Sequence, residues 1–190
     1  MMQDLKIEVR DRIESFKKEK ALLDKVKSLQ NIEILVGIPQ ENNDREGSPL
    51  GNAALLFLHT KGSPIKGLPA RPLIEPALFA PDNADRIAAD LKEITLAVLN
   101  GDYDRAEKLM GVTGQDAVNM ITDWFDDPRN GWEPNKDATV KAKLRRTSKS
   151  PKEREKLFKK YLRGAANINT VLVDTDEMRK AITYVVGGKK

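Results

Sequence analysis

From Asp4 to about Gln30 no glycine or proline interrupts the chain, and Leu5, Val9, Ile13, Phe16, Leu23, Val26 and Leu29 recur at steps of three and four. That spacing predicts one long amphipathic helix over residues 1–30, with a single lapse near Lys20. A helix of this length spans roughly 40 Å, against a radius of gyration of about 16 Å for a compact chain of this size. Part of it is therefore expected to project or to pack on a neighbour. Its apolar stripe has two readings, burial on the protein's own sheet or a seam between subunits. After Asn31 the pattern switches to the β-branched alternation Ile32-Glu33-Ile34-Leu35-Val36-Gly37-Ile38, a strand signature closed by Pro39.

The polar, turn-rich stretch Gln40 to Gly51 predicts an exposed loop. Ala53 to Leu58 then reads as a short buried helix with Asn52 as its N-cap. Gly62, Ser63, Pro64, Gly67, Pro69, Pro72 and Pro76 punctuate the next fifteen residues, which argues against regular helix and for a stiff, held loop. A second helix opens at Pro81-Asp82-Asn83 and stops at Asn100-Gly101. A third runs from about Asp104 to Phe125, weakened at Gly111 and Gly114. The stretch 133–150 has little apolar periodicity and is expected to be an extended basic loop, followed by a short helix near 151–163. Strands are expected over Thr170-Val171-Leu172-Val173 and from Ala181 to Val186, flanking a short helix from Thr175 to Lys180. These elements predict an α+β fold in a single domain over 1–190, an antiparallel sheet from strands near 32, 171 and 181 packed by helices.

Composition narrows the chemistry. Among 190 residues there is no cysteine, one histidine and 5% aromatic content. Disulfide scaffolds, iron–sulfur clusters, thiolate zinc sites and cysteine nucleophiles are excluded, and the lack of thiols suits a reducing cytoplasm. The longest apolar run, Ala53 to Leu58, is six residues, so neither secretion nor membrane spanning is expected. There is no Gly-rich phosphate loop, nucleophile elbow, paired-histidine zinc helix or Glu-x-Lys step. Asp126-Asp127 and Asp174-Thr175-Asp176-Glu177 are the dense carboxylate clusters, but the first reads as a helix stop and the second as a helix start. His59, alone after an apolar helix, reads as a packed or surface residue rather than a general base. Trp124 and Trp132 bracket the turn at 126–131 and are expected to cap the core beneath it. No cofactor, metal or catalytic residue is assigned.

The net charge of +4 conceals a segregation. Lys136 to Arg163 holds twelve Lys and Arg against three acids, while the remainder has 33 − 12 = 21 bases and 29 − 3 = 26 acids. A cationic stretch on a mildly acidic body suits solvent, a subunit contact or DNA phosphates. Its candidate contact surface is Lys141, Lys143, Arg145, Arg146 and Lys149.

Three blocks carry a resemblance: Asn52 to Pro64, with His59-Thr60-Lys61-Gly62-Ser63 at its end; Ile65 to Leu73, with Pro69-Ala70-Arg71-Pro72; and Leu172 to Val186, with Asp174-Thr175-Asp176. Between them lies Gly131-Trp132-Glu133-Pro134, followed by Thr139 and Lys143. In order and spacing these resemble tailed-phage neck and tail-completion proteins, the virion-morphogenesis group that includes minor tail protein Z. Thr60, Leu73 and Asp176 stand where that family commonly has glutamate, phenylalanine and glycine, and the last substitution bears on the shape of its turn. The resemblance marks Asn52, His59, Gly62, Pro69, Ala70, Arg71, Pro72, Trp132, Asp174 and Thr175 as structural or interface positions. Arg71, stiffened between two prolines, suits a fixed carboxylate or carbonyl cluster and is expected to be a structural anchor.

What the resemblance implies is a non-enzymatic virion protein at the head–tail junction that forms a six-fold or twelve-fold ring with itself. Its partners would be tail-terminator, tail-tube or connector proteins, with possible lumen contact to DNA, and it would reside in the host cytoplasm during assembly. The rival reading is a DNA-binding protein using 136–163. A third is a carboxylate-dependent nuclease using Asp126, Asp127, Asp174 and Asp176.

Overall fold

The structure is a computed structural model that describes residues 2–30, 32–45, 48–163 and 176–188. It is an α+β protein. Its elements in chain order are α1 (Met2–Leu29), β1 (Ile32–Gly37), α2 (Asn52–Lys61), α3 (Ile74–Leu78), α4 (Pro81–Asn100), α5 (Tyr103–Trp124), α6 (Asp137–Thr147), α7 (Pro151–Leu162), α8 (Glu177–Ala181) and β2 (Thr183–Gly188). Among the described residues, strands β1 and β2 pair as a two-stranded antiparallel sheet. The chain divides into two compact units, one of Met1–Val36, Pro81–Ala117 and Tyr184–Lys190, the other of Gly37–Ala80 and Val118–Thr183.

In the first unit, α4 and α5 meet at a turn whose residues each have a physical task. Gly101 takes φ 81°, the left-handed conformation that ends a helix at least cost in glycine. Asp102 then accepts from Arg105 N at 3.2 Å and caps α5. Ala97, Val98 and Ala106 form the buried centre, with Leu29 and Ile32 packed against them. The end of α1 is tied to α4 by Lys25 Nζ donating to Leu99 O at 2.8 Å. Further back along α1 the side chains from Arg12 to Asp24 are exposed, including Ile13, Phe16 and Leu23. The apolar stripe therefore does not bury on the sheet over this stretch.

The two glycines of α5 differ in what surrounds them. A Cβ on Gly114 would stand 2.6 Å from Tyr184 Cγ, whereas one on Gly111 would rest 3.7 Å from the Tyr184 hydroxyl. The β2 ring thus sits directly on the α5 backbone at Gly114.

In the second unit, α7 begins with Pro151 in its first turn and Ser150 as N-cap, whose Oγ accepts from Glu153 N at 3.2 Å. Glu153 Oε2 accepts in turn from Lys149 N at 2.8 Å. Helices α2 and α8 are neighbours, and Asn42 Nδ2 donates to Ala181 O at 3.2 Å. Leu73, Ile121 and Val140 are wholly buried here.

Four expectations need correction or relocation. The stretch 133–150 is not an extended loop, because Asp137–Thr147 is helix α6. Val140 and Leu144, one turn apart, bury that face, and the Ala, Lys, Arg and Leu around them are good helix formers. Asn52 is the first residue of α2 rather than its N-cap. Gly51 takes the cap position, and Asn43 Oδ1 accepts from Ala53 N at 2.9 Å. Residues 74–78 are helical despite Pro76, which lies in the first turn where its missing N–H is not needed. The strand expected at Thr170–Val173 lies outside the described residues, as do Asp174 and Thr175. Asp176, at the start of α8, is the only described non-glycine residue with positive φ, at 63°.

The glycine contrast sets a test. Gly114→Ala should lower stability by about 1–3 kcal/mol through overpacking on Tyr184. Gly111→Ala should raise it by up to about 1 kcal/mol through helix propensity. Urea denaturation of both variants checks this, and equal effects would contradict the packing of β2 on α5.

Candidate functional site

The stiff segment after α2 is held by its own backbone. Gly62 takes φ 72°, and a Cβ there would collide with Ala70 N at 2.8 Å and Leu68 O at 2.9 Å. Only glycine lets the strand-like return from Leu68 to Ala70 pass this close. Ser63 and Leu68 exchange both backbone hydrogen bonds, at 2.8 and 2.9 Å, around a 3-10 turn at Pro64–Lys66. Arg71 N then donates to His59 O at 2.7 Å, which fixes the Pro69-Ala70-Arg71-Pro72 segment to the end of α2.

Side chains join this segment to a distant part of the sequence. Arg71, 7% exposed, donates from Nη2 to Glu133 O at 3.0 Å. Trp132 Nε1 donates to Pro72 O at 3.3 Å. The Trp132 ring meets Phe125 edge-on at 6.1 Å, and the Arg179 guanidinium lies 5.5 Å from the Phe125 ring centre. Trp124 is buried beneath Arg129, which stacks at 5.5 Å. The Pro-Ala-Arg-Pro and Gly-Trp-x-Pro blocks are thus one constellation in space.

Asn52 is 3% exposed and pins the preceding loop, donating from Nδ2 to Asn42 O at 3.1 Å and to Asp44 O at 3.4 Å. Pro69 is half-buried and Ala70 exposed. The basic candidates divide between two sites. Lys141, Arg145, Arg146 and Lys149 are exposed, with Lys141 Nζ 4.7 Å above the Phe158 ring where α6 packs on α7. Lys143 belongs elsewhere, for it is buried at 9% exposure and lines a different feature. In a helix, positions 141 and 145 share one face, while 143 with 140 and 144 turns toward the core.

That feature is a cavity of about 210 Å³ lined by His59, Arg71, Glu133, Asn135, Thr139 and Lys143, with Lys136 and the Gly67–Pro69 segment also on its wall. Burial pulls the Arg71 guanidinium below its usual pKa, opposed by the Glu133 charge. The His59 imidazole is also held low, first by burial, then by the charges of Arg71 and Arg45. Among the described residues neither Arg71 Nε nor His59 Nδ1 has a hydrogen-bond partner. Sequence reasoning named His59, Arg71 and Lys143 separately. It missed Glu133, Asn135, Lys136 and Thr139 as members of one site, because nothing along the chain signals that 59–71 and 133–143 meet.

Of the carboxylates considered for metal, those among the described residues are engaged otherwise. Asp127 caps the 3-10 turn at Pro128–Asn130, accepting from Arg129 N at 2.8 Å and from its guanidinium at 2.7 Å, which draws the carboxyl pKa down. Asp126 pairs with Arg179 at 3.4 Å, and Asp176 with Lys180 at 3.7 Å. Among the described residues no three His, Asp or Glu side chains are grouped to hold a metal ion, and no described helix is long and apolar enough to cross a membrane.

The His59 environment gives a pH dependence of known sign. Because the folded pKa lies below the ordinary value of 6.5, the unfolded chain takes up the proton first as pH falls. Stability is intact above that value and is lost as pH drops from it through the folded pKa. Urea midpoints measured from pH 7.5 down to 5 should fall for the natural sequence and fall less for His59→Gln. Parallel profiles would place the acid sensitivity on other groups.

Comparison with family models, with curated proteins and with solved structures finds no match for this chain.

Proposed function

We propose that this chain is a structural virion protein of a tailed phage, a neck or tail-completion protein that assembles into a ring at the head–tail junction and joins tail to connector. The reading rests on the blocks that resemble that family. The observation that carries it is the meeting of two of them, with Arg71 and Pro72 bound to Glu133 and Trp132. Two of the resembling blocks, far apart in sequence, thus share one hydrogen-bonded constellation, which supports reading them together. The left-handed Asp176 adds support, since it stands where the resembled family commonly has glycine and adopts a conformation that glycine favours. The exposed apolar side chains of α1 offer a face for a neighbouring copy, and ring assembly places different faces of identical chains together.

A second reading, DNA binding through 136–163, is favoured by one observation. Lys141, Arg145, Arg146 and Lys149 are exposed on α6 and just beyond it, a placement suited to phosphate contact without base reading.

Electron microscopy of particles from a phage with this gene disabled, beside a complemented control, tests the first reading. Filled heads with unattached or abnormally long tails are expected, and normal infectious virions would refute it. For the second, affinity for duplex DNA should drop steeply with salt, by about 10³-fold or more between 50 and 200 mM for six phosphate contacts. Salt-independent or undetectable binding would remove it.

A further inference from the structure

One face of α1 joins apolar exposure to a single sign of charge. Arg12, Ile13, Phe16, Lys17 and Lys20 recur at steps of one, three and four, so the helix gathers them on one side. Ile13 is 50% exposed and Phe16 68%, large values for side chains that gain by leaving water. Three cations border them. The two carboxylates of the same stretch have partners of their own, for Glu14 pairs with Arg10 at 4.0 Å and Glu19 Oε1 accepts from Ser15 Oγ at 3.3 Å.

The α4–α5 turn of the same unit carries the opposite combination. Tyr103, 55% exposed, opens α5 between Asp102 and Asp104, with Glu107 one turn on. All three acids are exposed, and at the start of a helix their charge is favoured by the backbone dipole. Of the bases beside them, Arg105 is held by Glu93 at 3.1 Å and Lys108 stands next to Glu107. The turn does not reach this face within its own chain. Lys25 Nζ donates to Leu99 O at 2.8 Å and lies 3.8 Å from where a Cβ on Gly101 would stand, so the turn sits beside Lys25. Phe16 lies about 14 Å and Ile13 about 18 Å further up α1 at the helical rise, beyond the length of a tyrosine side chain.

We propose that the Tyr103 turn of one copy docks on the Ile13–Phe16 face of α1 in a second copy. The ring covers the two apolar side chains, and Asp104 and Glu107 approach Arg12, Lys17 and Lys20. Charge complementarity selects this occupant, because a second α1 laid on the same face would set cations against cations. The contact joins different faces of identical chains, so it is heterologous, and every copy offers one of each. The proposal rests on the ring reading for the premise that copies assemble, and it names the surfaces through which they do.

Sedimentation velocity of the full chain over a rising concentration series reads the contact. The natural chain should associate, and less so as potassium chloride is raised, since exposed charges supply part of the attraction. Tyr103→Ala and Phe16→Ala should each weaken association by about tenfold, the scale of one buried aromatic anchor. Circular dichroism checks that both keep their helices. Should either fail to fold, Asp104→Lys alters only an exposed side chain and should weaken association several-fold. A mixture then separates this contact from any other. At a concentration where neither alanine variant associates alone, equal amounts of the two should form a one-to-one dimer and stop there, because the intact turn of one finds the intact α1 of the other. A natural chain that stays monomeric, association equal to the natural chain's in any of these folded variants, or a mixture that does not dimerise overturns the proposal. Loss at Phe16 without loss at Tyr103 would instead pair α1 with a second α1. Copies that assemble regardless of these substitutions refute the contact and leave the neck reading standing, whereas normal virions from the gene-disabled phage refute that reading whatever the contact does.

Discussion

A guanidinium taken out of water must be satisfied where it lies, since the desolvation of a charged group costs several kcal/mol before any contact returns it. Arg71 imposes that demand on the second unit. Its side chain reaches Glu133 O, and its backbone N–H reaches His59 O. Between these two contacts the end of α2 and the stretch before α6 are fixed about one residue. The consequences propagate outward: Pro72 O is placed for Trp132, Trp132 for the edge of Phe125, and Phe125 for the Arg179 guanidinium. Prolines on both sides of Ala70-Arg71 reduce the freedom of the unfolded segment, so less entropy is lost in holding this geometry.

Elements with clean periodicity and local stop signals were legible in the sequence. α1, β1, α4, α5 and α7 fall within a few residues of where the apolar spacing, Pro81 and the Asn100-Gly101 pair place them. α6 was not legible. Only Val140 and Leu144 supply an apolar pair there, and the third buried position is a lysine, so a search for hydrophobic stripes finds nothing where tertiary packing still selects helix. Asn52 misled for a related reason. Asparagine is a good cap, but this one spends its amide on Asn42 and Asp44, and Asn43 caps from a distance.

The site was legible only in pieces. Arg71 between two prolines announced a held cation, whereas Gly62 was read only as part of a stiff, punctuated loop. What the linear order could not convey was the partner, because the atom that receives Arg71 is a main-chain oxygen, and a carbonyl leaves no mark in residue type. Lys143 and Lys141 look alike in sequence, two apart in a basic run. The helical turn that the periodicity did not reveal sends one inward and leaves the other in solvent.

That the basic run is helical has an electrostatic consequence. Lys141 and Arg145 lie one turn apart, and like charges at that spacing repel by a few tenths of a kcal/mol. The helix holds because Val140 and Leu144 are buried and because Lys141 rests on the Phe158 ring. Dissolved ions then act on this segment in opposite senses. Raised ionic strength screens the repulsion and firms the helix, while the same ions compete with any polyanion that would lie along it. The surface is least settled internally in dilute electrolyte, where its attraction for a negatively charged surface is greatest, so such a surface would itself serve as the counterion that quiets it.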